Sequence, residues 1–406
     1  MLGDGRVWVV SELFHPERTS TGHFLSCIAM GLAHSFPVRV LSAQPTYSAR
    51  GRRAPRRERL NGAEILRCWS TTFPKDVLVL RAINLITITL SMFFEGCRGF
   101  RRGDRVLVVT NPPTLPFVIR WACHLRGAQF VLLIHDVYPE ALEVAGLFRR
   151  RGLAARVLSR LTASLYRSAA RIVVLGRDMR DLVAKKVPEV ADRLILIPNW
   201  ADLEEVEPRP RVENHLLEQL GLVDRFVVQY AGNMGRTHDL GLLVEAAELM
   251  KAEPVSFLIC GWGAKQGWLR QQVYERHLEN VTVIDPRPRE DLGELLGACD
   301  VAVLAFVPGM AGVSVSSRLY NMLAAGRPII AAVEANSEVA LVVVEEGAGL
   351  VVRPGDVGAF VAAIRGLAAE PERRREMSEK GPRAAEARYS LNTALEVYTR
   401  VLRGLH

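Results

Sequence analysis

Apolar residues fall in short strand-length runs separated by longer polar or amphipathic stretches, and this rhythm continues along most of the chain. Arg6–Leu13, Val38–Leu41, Ile65–Arg67, Val106–Thr110, Phe130–Ile134, Ile172–Leu175 and Leu194–Ile197 read as about seven strands of a first sheet. Their near-continuous Val, Ile and Leu content suits parallel strands covered on both faces. A helix is expected from about Gly22 to His34, and Tyr47–Arg59, rich in arginine and broken by glycine and proline, is expected to be an exposed loop. The apolar stretch Val77–Phe94 is interrupted by Arg81 and Asn84, and the roughly 13 residues of Ala82–Phe94 fall short of the ~20 that span a bilayer. That segment fits either a buried core helix or a helix in a membrane interface.

The pattern breaks at Pro198–Trp200 and in the acidic, proline-containing Glu204–Arg211, then restarts. Phe226–Tyr230, Ser256–Cys260, Val281–Ile284, Val301–Ala305, Ile329–Ala332 and Gly349–Val352 give the strands of a second sheet. Helices follow from Asp356, and Arg383–Arg403 has a helical apolar period. An α/β protein of two domains facing a cleft results, residues 1–203 and 204–382, with a last helix in 383–406 returning to the first domain. At 406 residues, each domain is long enough to bury its own core.

Candidate chemistry sits where strands end. After Val301–Ala305 comes a loop with Gly309, Gly312 and Ser314, and a helix is expected near Ser316. Its first turn would hold Ser316, Ser317 and Arg318, so hydroxyls, a guanidinium and unpaired backbone N–H groups would suit a phosphate. An ordinary capped helix explains the same residues. The turn Ala231–His238 carries Gly232, Asn233, Gly235, Arg236 and His238, without the G-x-G-x-x-G spacing of a dinucleotide fold, and Gly261 opens a second glycine turn. In the first half, Thr19–Gly22 places hydroxyls and a flexible backbone at a helix start, and His135, Asp136 and Glu140 lie in HDVYPE at a strand end. A strand-end histidine can bond a hydroxyl or move a proton, although a lone histidine is more often structural.

Charge changes the picture further. Residues 1–200 hold 30 Lys and Arg against 15 Asp and Glu, leaving 22 against 29 for the remainder. The excess fits nucleic acid, an anionic membrane surface, or merely an arginine-rich solvated face. No basic motif with interleaved aromatics is present, so nucleic acid is not expected as a partner. Six cysteines without a C-x-x-C pair indicate neither a zinc site nor a disulfide framework, and suit a reducing compartment. No basic region followed by an apolar one opens the chain, so a secretion signal is not expected.

In order along nearly the whole chain stand ELFHPERTSTG, HDVYPE, IPNWAD, YAGNMGRTHDL, CGWG, ACDVAVLAF, SSRLYNMLAAGRPIIA, the Glu338 segment and GLVVRPGD. Together they resemble glycosyltransferase family 4 of the GT-B fold, in its bacterial surface-polysaccharide branch. The resemblance implies two Rossmann-like domains, with a nucleotide-sugar donor held mainly by the second and an acceptor on the first, here a lipid-linked saccharide. It also implies retention of anomeric configuration, no metal or other cofactor, and work at the cytoplasmic membrane face. By position, Gly22 matches a glycine loop near the donor phosphates and His135 a histidine beside the donor sugar. Asn233 and Arg236 match a phosphate-facing loop, and Ser316, Ser317 and Arg318 fall where the branch has Pro-Ser-Lys. The family's two glutamates align with Val313 and Asn321. The second usually holds the ribose, a role in which the Asn321 amide oxygen could still accept a hydrogen bond. This departure keeps a non-catalytic GT-B subunit open as an alternative, beside a sugar-nucleotide epimerase.

Overall fold

The structure, a computed structural model, describes residues 5–45, 53–73, 78–150 and 152–405 of the 406-residue chain. Tyr47, Arg50, Arg52 and Val77 lie outside the described residues. Two compact units are present: Met1–Pro139 with Arg151–Pro198 and Asn392–His406, and Glu140–Arg150 with Asn199–Leu391.

Up to residue 198 the elements are β1 (Val7–Ser11), α1 (Ser20–Leu32), β2 (Val38–Ala43), β3 (Arg57–Leu60), β4 (Ala63–Cys68), α2 (Leu78–Gly99), β5 (Arg105–Val109), α3 (Leu115–Arg126), β6 (Gln129–Leu133), α4 (Glu140–Val144), α5 (Leu153–Ser168), β7 (Arg171–Val174), α6 (Arg177–Lys186) and β8 (Leu194–Leu196). Their sheet runs β3-β4-β2-β1-β5-β6-β7-β8, parallel except for the β3–β4 pair. Both β1 and β5 are buried along their whole length, which explains their unbroken apolar character.

The exposed loop expected over Tyr47–Arg59 is corrected in part. Arg57–Leu60 forms an antiparallel edge strand on β4, turned by Asn61 and Gly62 with φ of 43° and 85°. Asn-Gly is the sequence best suited to two successive left-handed residues in a tight hairpin, and charged side chains keep the edge from pairing further. The arginine in the next strand is not at the surface. Arg67 is 1% exposed, donates to the carbonyls of Pro55 (2.7 Å) and His15 (2.9 Å), and pairs with Glu58 at 2.7 Å.

The second half adds α7 (His215–Gln219), β9 (Phe226–Ala231), α8 (Leu240–Leu249), β10 (Val255–Cys260), α9 (Gln266–Glu275), β11 (Val281–Ile284), α10 (Leu292–Gly297), β12 (Val301–Ala305), α11 (Arg318–Ala324), β13 (Ile329–Ala332), α12 (Glu338–Glu345), β14 (Gly349–Val352), α13 (Val357–Ala369), α14 (Pro371–Arg388) and α15 (Leu391–Arg403). The all-parallel sheet has the order β11-β10-β9-β12-β13-β14. Cα register sets Ala231 opposite Cys260, so the turns after β9 and β10 leave the sheet side by side.

The final residues rejoin the first unit from Asn392, whereas α14 through Arg388 stays with the second. Leu395 of α15 fills the space beside Gly31, where a β-carbon would lie 2.2 Å from it. Arg105 Nε and Nη2 donate to the Leu405 carbonyl at 3.1 and 3.0 Å.

Candidate functional site

At the C-terminal edge of the second sheet, two glycine turns and one arginine interlock. Gly232 follows β9 with φ 141°, and its N–H donates to the Cys260 carbonyl at 2.8 Å. Gly261, with φ 148°, leaves no room for a side chain, since a β-carbon would sit 1.8 Å from the Gly232 oxygen. Met234 N–H then donates to Trp262 O (2.8 Å), and Lys265 N–H to Met234 O (2.9 Å), so the two turns move as one piece. The Tyr230 hydroxyl closes the base by donating to Asn233 O at 2.6 Å.

Arg318 lies across this base. Its guanidinium carbon is 4.9 Å from the Tyr230 ring centre, and Nη1 donates to Ala231 O at 2.8 Å. The aromatic face and the carbonyl hold the fork in place while leaving further donors for a ligand. Lys265 Nζ donates to His238 O at 2.6 Å. Exposed Arg236 has no hydrogen bond or ion pair among the described residues.

These cations sense one another. Burial lowers the Lys265 pKa, opposed by Asp239 and reinforced by Arg236. Burial first, then the charges of Arg318 and Lys265, push His238 down to about 2. His238 is therefore a neutral, buried ring between Tyr230 and Phe306, with centroids at 6.4 and 5.2 Å. Its ring shapes the turn that carries Arg236.

The helix expected from Ser316 starts at Arg318 and has seven residues. Ser317 stands before it in helical conformation without a side-chain capping bond, Ser316 is buried, and Ser314 is partly buried in the preceding loop. The Asn321 amide oxygen accepts the Asp202 N–H at 2.8 Å, so the atom proposed for a ribose hydroxyl is already engaged. Asp202 in turn pairs with Arg289. Glu334 receives the N–H groups of Gly309 and Ala311, the second at 3.1 Å, and so clamps the glycine loop after β12.

In the first unit, the Thr110 hydroxyl accepts the N–H groups of His135 (3.0 Å) and Asp136 (3.3 Å), fixing the chain at the end of β6. Burial pushes the His135 imidazole down to about 4, so it is neutral at physiological pH. Gly22 lies inside α1 against Glu17, where a β-carbon would meet the Glu17 oxygen at 2.9 Å, and Thr19 caps the helix by accepting from Gly22 N–H at 3.2 Å. Glu140 opens α4, whose residues group with the second unit, while His135 and Asp136 belong to the first.

Lys265, Tyr230, Thr110 and Glu334 were not among the expected site residues. Lys265 stands two residues beyond the second glycine of the CGWG turn, and Thr110 closes a strand run, so both had a positional signal. Tyr230 and Glu334 act through partners that sequence spacing does not reveal.

Residues 23–200 match the family model described as Glycosyl transferase 4-like domain, and residues 214–384 the one described as Glycosyl transferases group 1. Over 369 residues the chain is 31% identical to "Probable glycosyltransferase WbjE" of Pseudomonas aeruginosa, with 88% of each chain covered. The chain is a family 4 glycosyltransferase of the GT-B fold. This glycosyltransferase is also 28% identical over 374 residues to WcaI of Escherichia coli K12, named for colanic acid biosynthesis, covering 89% of itself and 91% of WcaI. Among solved structures, the glycosyltransferase matches sucrose-phosphate synthase of Thermosynechococcus elongatus with a TM-score of 0.79, 17% identity and 99% of each chain covered. HepE of Anabaena, solved with UDP-glucose, matches with a TM-score of 0.74 at 16% identity, covering 98% of this chain and 100% of HepE. At such identities the likeness is one of fold.

Proposed function

We propose that this glycosyltransferase transfers a sugar, with retention of configuration, from a nucleoside-diphosphate sugar to a lipid-linked saccharide in surface-polysaccharide synthesis. In this reading it works as a peripheral protein at the cytoplasmic face of the membrane. The observation that carries the donor assignment is the fork of Arg318 laid on Tyr230 beside the glycine turns, with Arg236 and Lys265 close enough to shift their neighbours' titration. The UDP-glucose bound by HepE and the biosynthetic name of WcaI support the substrate class.

Breaking the bond between sugar and diphosphate leaves negative charge on the phosphate oxygens and positive charge on the ring. Fixed cations aimed at those oxygens stabilise that change more than they stabilise the bound donor. Arg318 and Lys265, held by the Ala231 and His238 carbonyls, fill that role here with the exposed Arg236 beside them, and no metal forms part of the proposal. His135, neutral through burial, serves as a hydrogen-bonding partner for a sugar hydroxyl, with Asp136 beside it as an orienting group.

Incubation with a panel of nucleotide sugars and a polyprenyl-diphosphate saccharide, with the product's anomeric configuration read by NMR, tests this reading. Transfer with retention that survives chelator supports its chemistry, donor class and acceptor class. A second reading rests on Val313 and Asn321, which bring no carboxylate to the segment after β12, the Asn321 oxygen already accepting one bond from Asp202: a subunit that binds a nucleotide sugar without turning it over. Donor binding without transfer, restored only by a partner transferase, would favour that alternative.

A further inference from the structure

Three neighbouring helices of the first unit expose large apolar side chains along their outer faces. On α2 these are Val79, Ile83, Ile86, Leu90 and Phe94, spaced by four, three, four and four residues and therefore in one stripe. Trp121 and Leu125 continue it on α3, and Leu153, Val157 and Leu161 on α5, each of the ten between 36% and 80% exposed. Opposite faces are anchored inside the unit. Ile88 and Met92 of α2 are buried, and Gly96 lets α2 approach α3, with a β-carbon there only 3.3 Å from that of Ala122. Arg120 of α3 donates to Ser164 of α5 at 3.1 Å, tying the second helix to the third.

Charge selects the occupant. α3 and α5 carry Arg120, Arg126, Arg156, Arg160 and Arg167 and not one Asp or Glu. A cavity of about 450 Å³ beside the C-terminal ends of α3 and α5 is lined by Arg120, Trp121, His124, Ser168 and Arg193, which suits an anionic headgroup beside an interfacial aromatic. A second copy of the same face would set arginine against arginine. Among the described residues no helix is long and apolar enough to cross a membrane, so α2, 22 residues and about 33 Å long, is suited to lying along a surface.

We infer that α2, α3 and α5 form a docking face for an anionic lipid bilayer, with the apolar stripe entering the headgroup boundary and the arginines meeting lipid phosphates. This rests on the peripheral-membrane reading above and places the contact on helices instead of the arginine-rich segment around Arg53 and Arg56.

Sedimentation of the full chain with phosphatidylglycerol or phosphatidylcholine vesicles at low salt tests the assignment. The wild type binds the anionic vesicles, and the pairs Ile86→Glu with Leu90→Glu and Val157→Glu with Leu161→Glu each weaken binding about tenfold or more. Circular dichroism and urea unfolding, read in parallel on the same samples, match the wild type and report an intact first unit, and UDP or GDP affinity stays unchanged. If these variants bind as the wild type does while Arg53→Gln with Arg56→Gln releases the protein, the helical face is overturned and the peripheral reading stands. A wild type that ignores anionic vesicles overturns both. A dimer in solution that the same glutamates dissolve, without vesicle binding, assigns the face to a second copy and also overturns the inference.

Discussion

Arg318 occupies the space that a side chain on Gly232 would need: a β-carbon there would lie 2.5 Å from the guanidinium. The glycine is required twice over, by its φ of 141° and by this packing. Arg318→Ala should therefore weaken UDP or GDP binding at least tenfold, in line with about 1.5–3 kcal/mol for a charge-assisted hydrogen bond. Gly232→Ala should produce a comparable loss with Arg318 still present, because the fork is displaced. Calorimetric titration of both variants checks this, and unchanged affinity in folded protein removes the phosphate role from Arg318.

His135→Ala should leave nucleotide affinity nearly intact and lower turnover by about 10²-fold, the lower end expected for a positioned proton-transfer or hydrogen-bonding group. With its pKa pushed to about 4, the imidazole stays neutral through the neutral range, and the turnover profile should show no titration of this group above pH 5. Equal losses of binding, turnover and stability in the variant would instead mark His135 as a packing residue.

His238 makes stability depend on pH in a fixed direction. Its folded value of about 2 lies below the ordinary 6.5, so below pH 6.5 the unfolded chain takes up a proton that the folded protein refuses. The contribution is complete above about pH 6.5 and declines as the solution is acidified toward the folded value. His238→Phe, which suits the ring contacts with Tyr230 and Phe306, should lose less Tm between pH 7 and pH 5 than the wild type does. Each kcal/mol of difference should appear as about 2–4 °C in a unit of this size. Parallel pH profiles for the two proteins would contradict the assignment.

Arg67→Met should destabilise the first unit by about 3–5 kcal/mol, because Glu58 would lose its ion pair and the Pro55 and His15 carbonyls their donor. Urea unfolding followed by circular dichroism measures the cost. Arg67 also holds His15, in the loop entering α1, so its loss should loosen the segment leading to Gly22.

The strands were readable because buried parallel strands must be apolar on both faces, and Val, Ile and Leu runs such as VWVV and FLIC admit few other structures. The β3–β4 hairpin was overlooked although Asn61-Gly62 announced it, since the density of arginine around it resembles a solvated loop. Arg318 was legible from the residue types around it, but not its seat on Tyr230, which lies 88 positions earlier in the chain. The bond between Asn321 and Asp202, 119 residues apart, belongs to the same class, as does the Glu334 clamp on Gly309 and Ala311. Such contacts are set by how strand ends line up, and local composition carries no trace of them.

The first unit receives Asn392–His406 as its closing piece, with Leu395 beside Gly31 and Arg105 bound to the Leu405 carbonyl. A ribosome delivers that piece only after the whole of the second unit. While the second unit is being synthesised, the groove beside Gly31 stays unfilled and Arg105 lacks its acceptor, so the first unit is completed only after the second has been made. A nascent chain stopped at Leu391 should carry a protease-sensitive first unit, and supplying residues 392–406 as a separate peptide should restore its resistance.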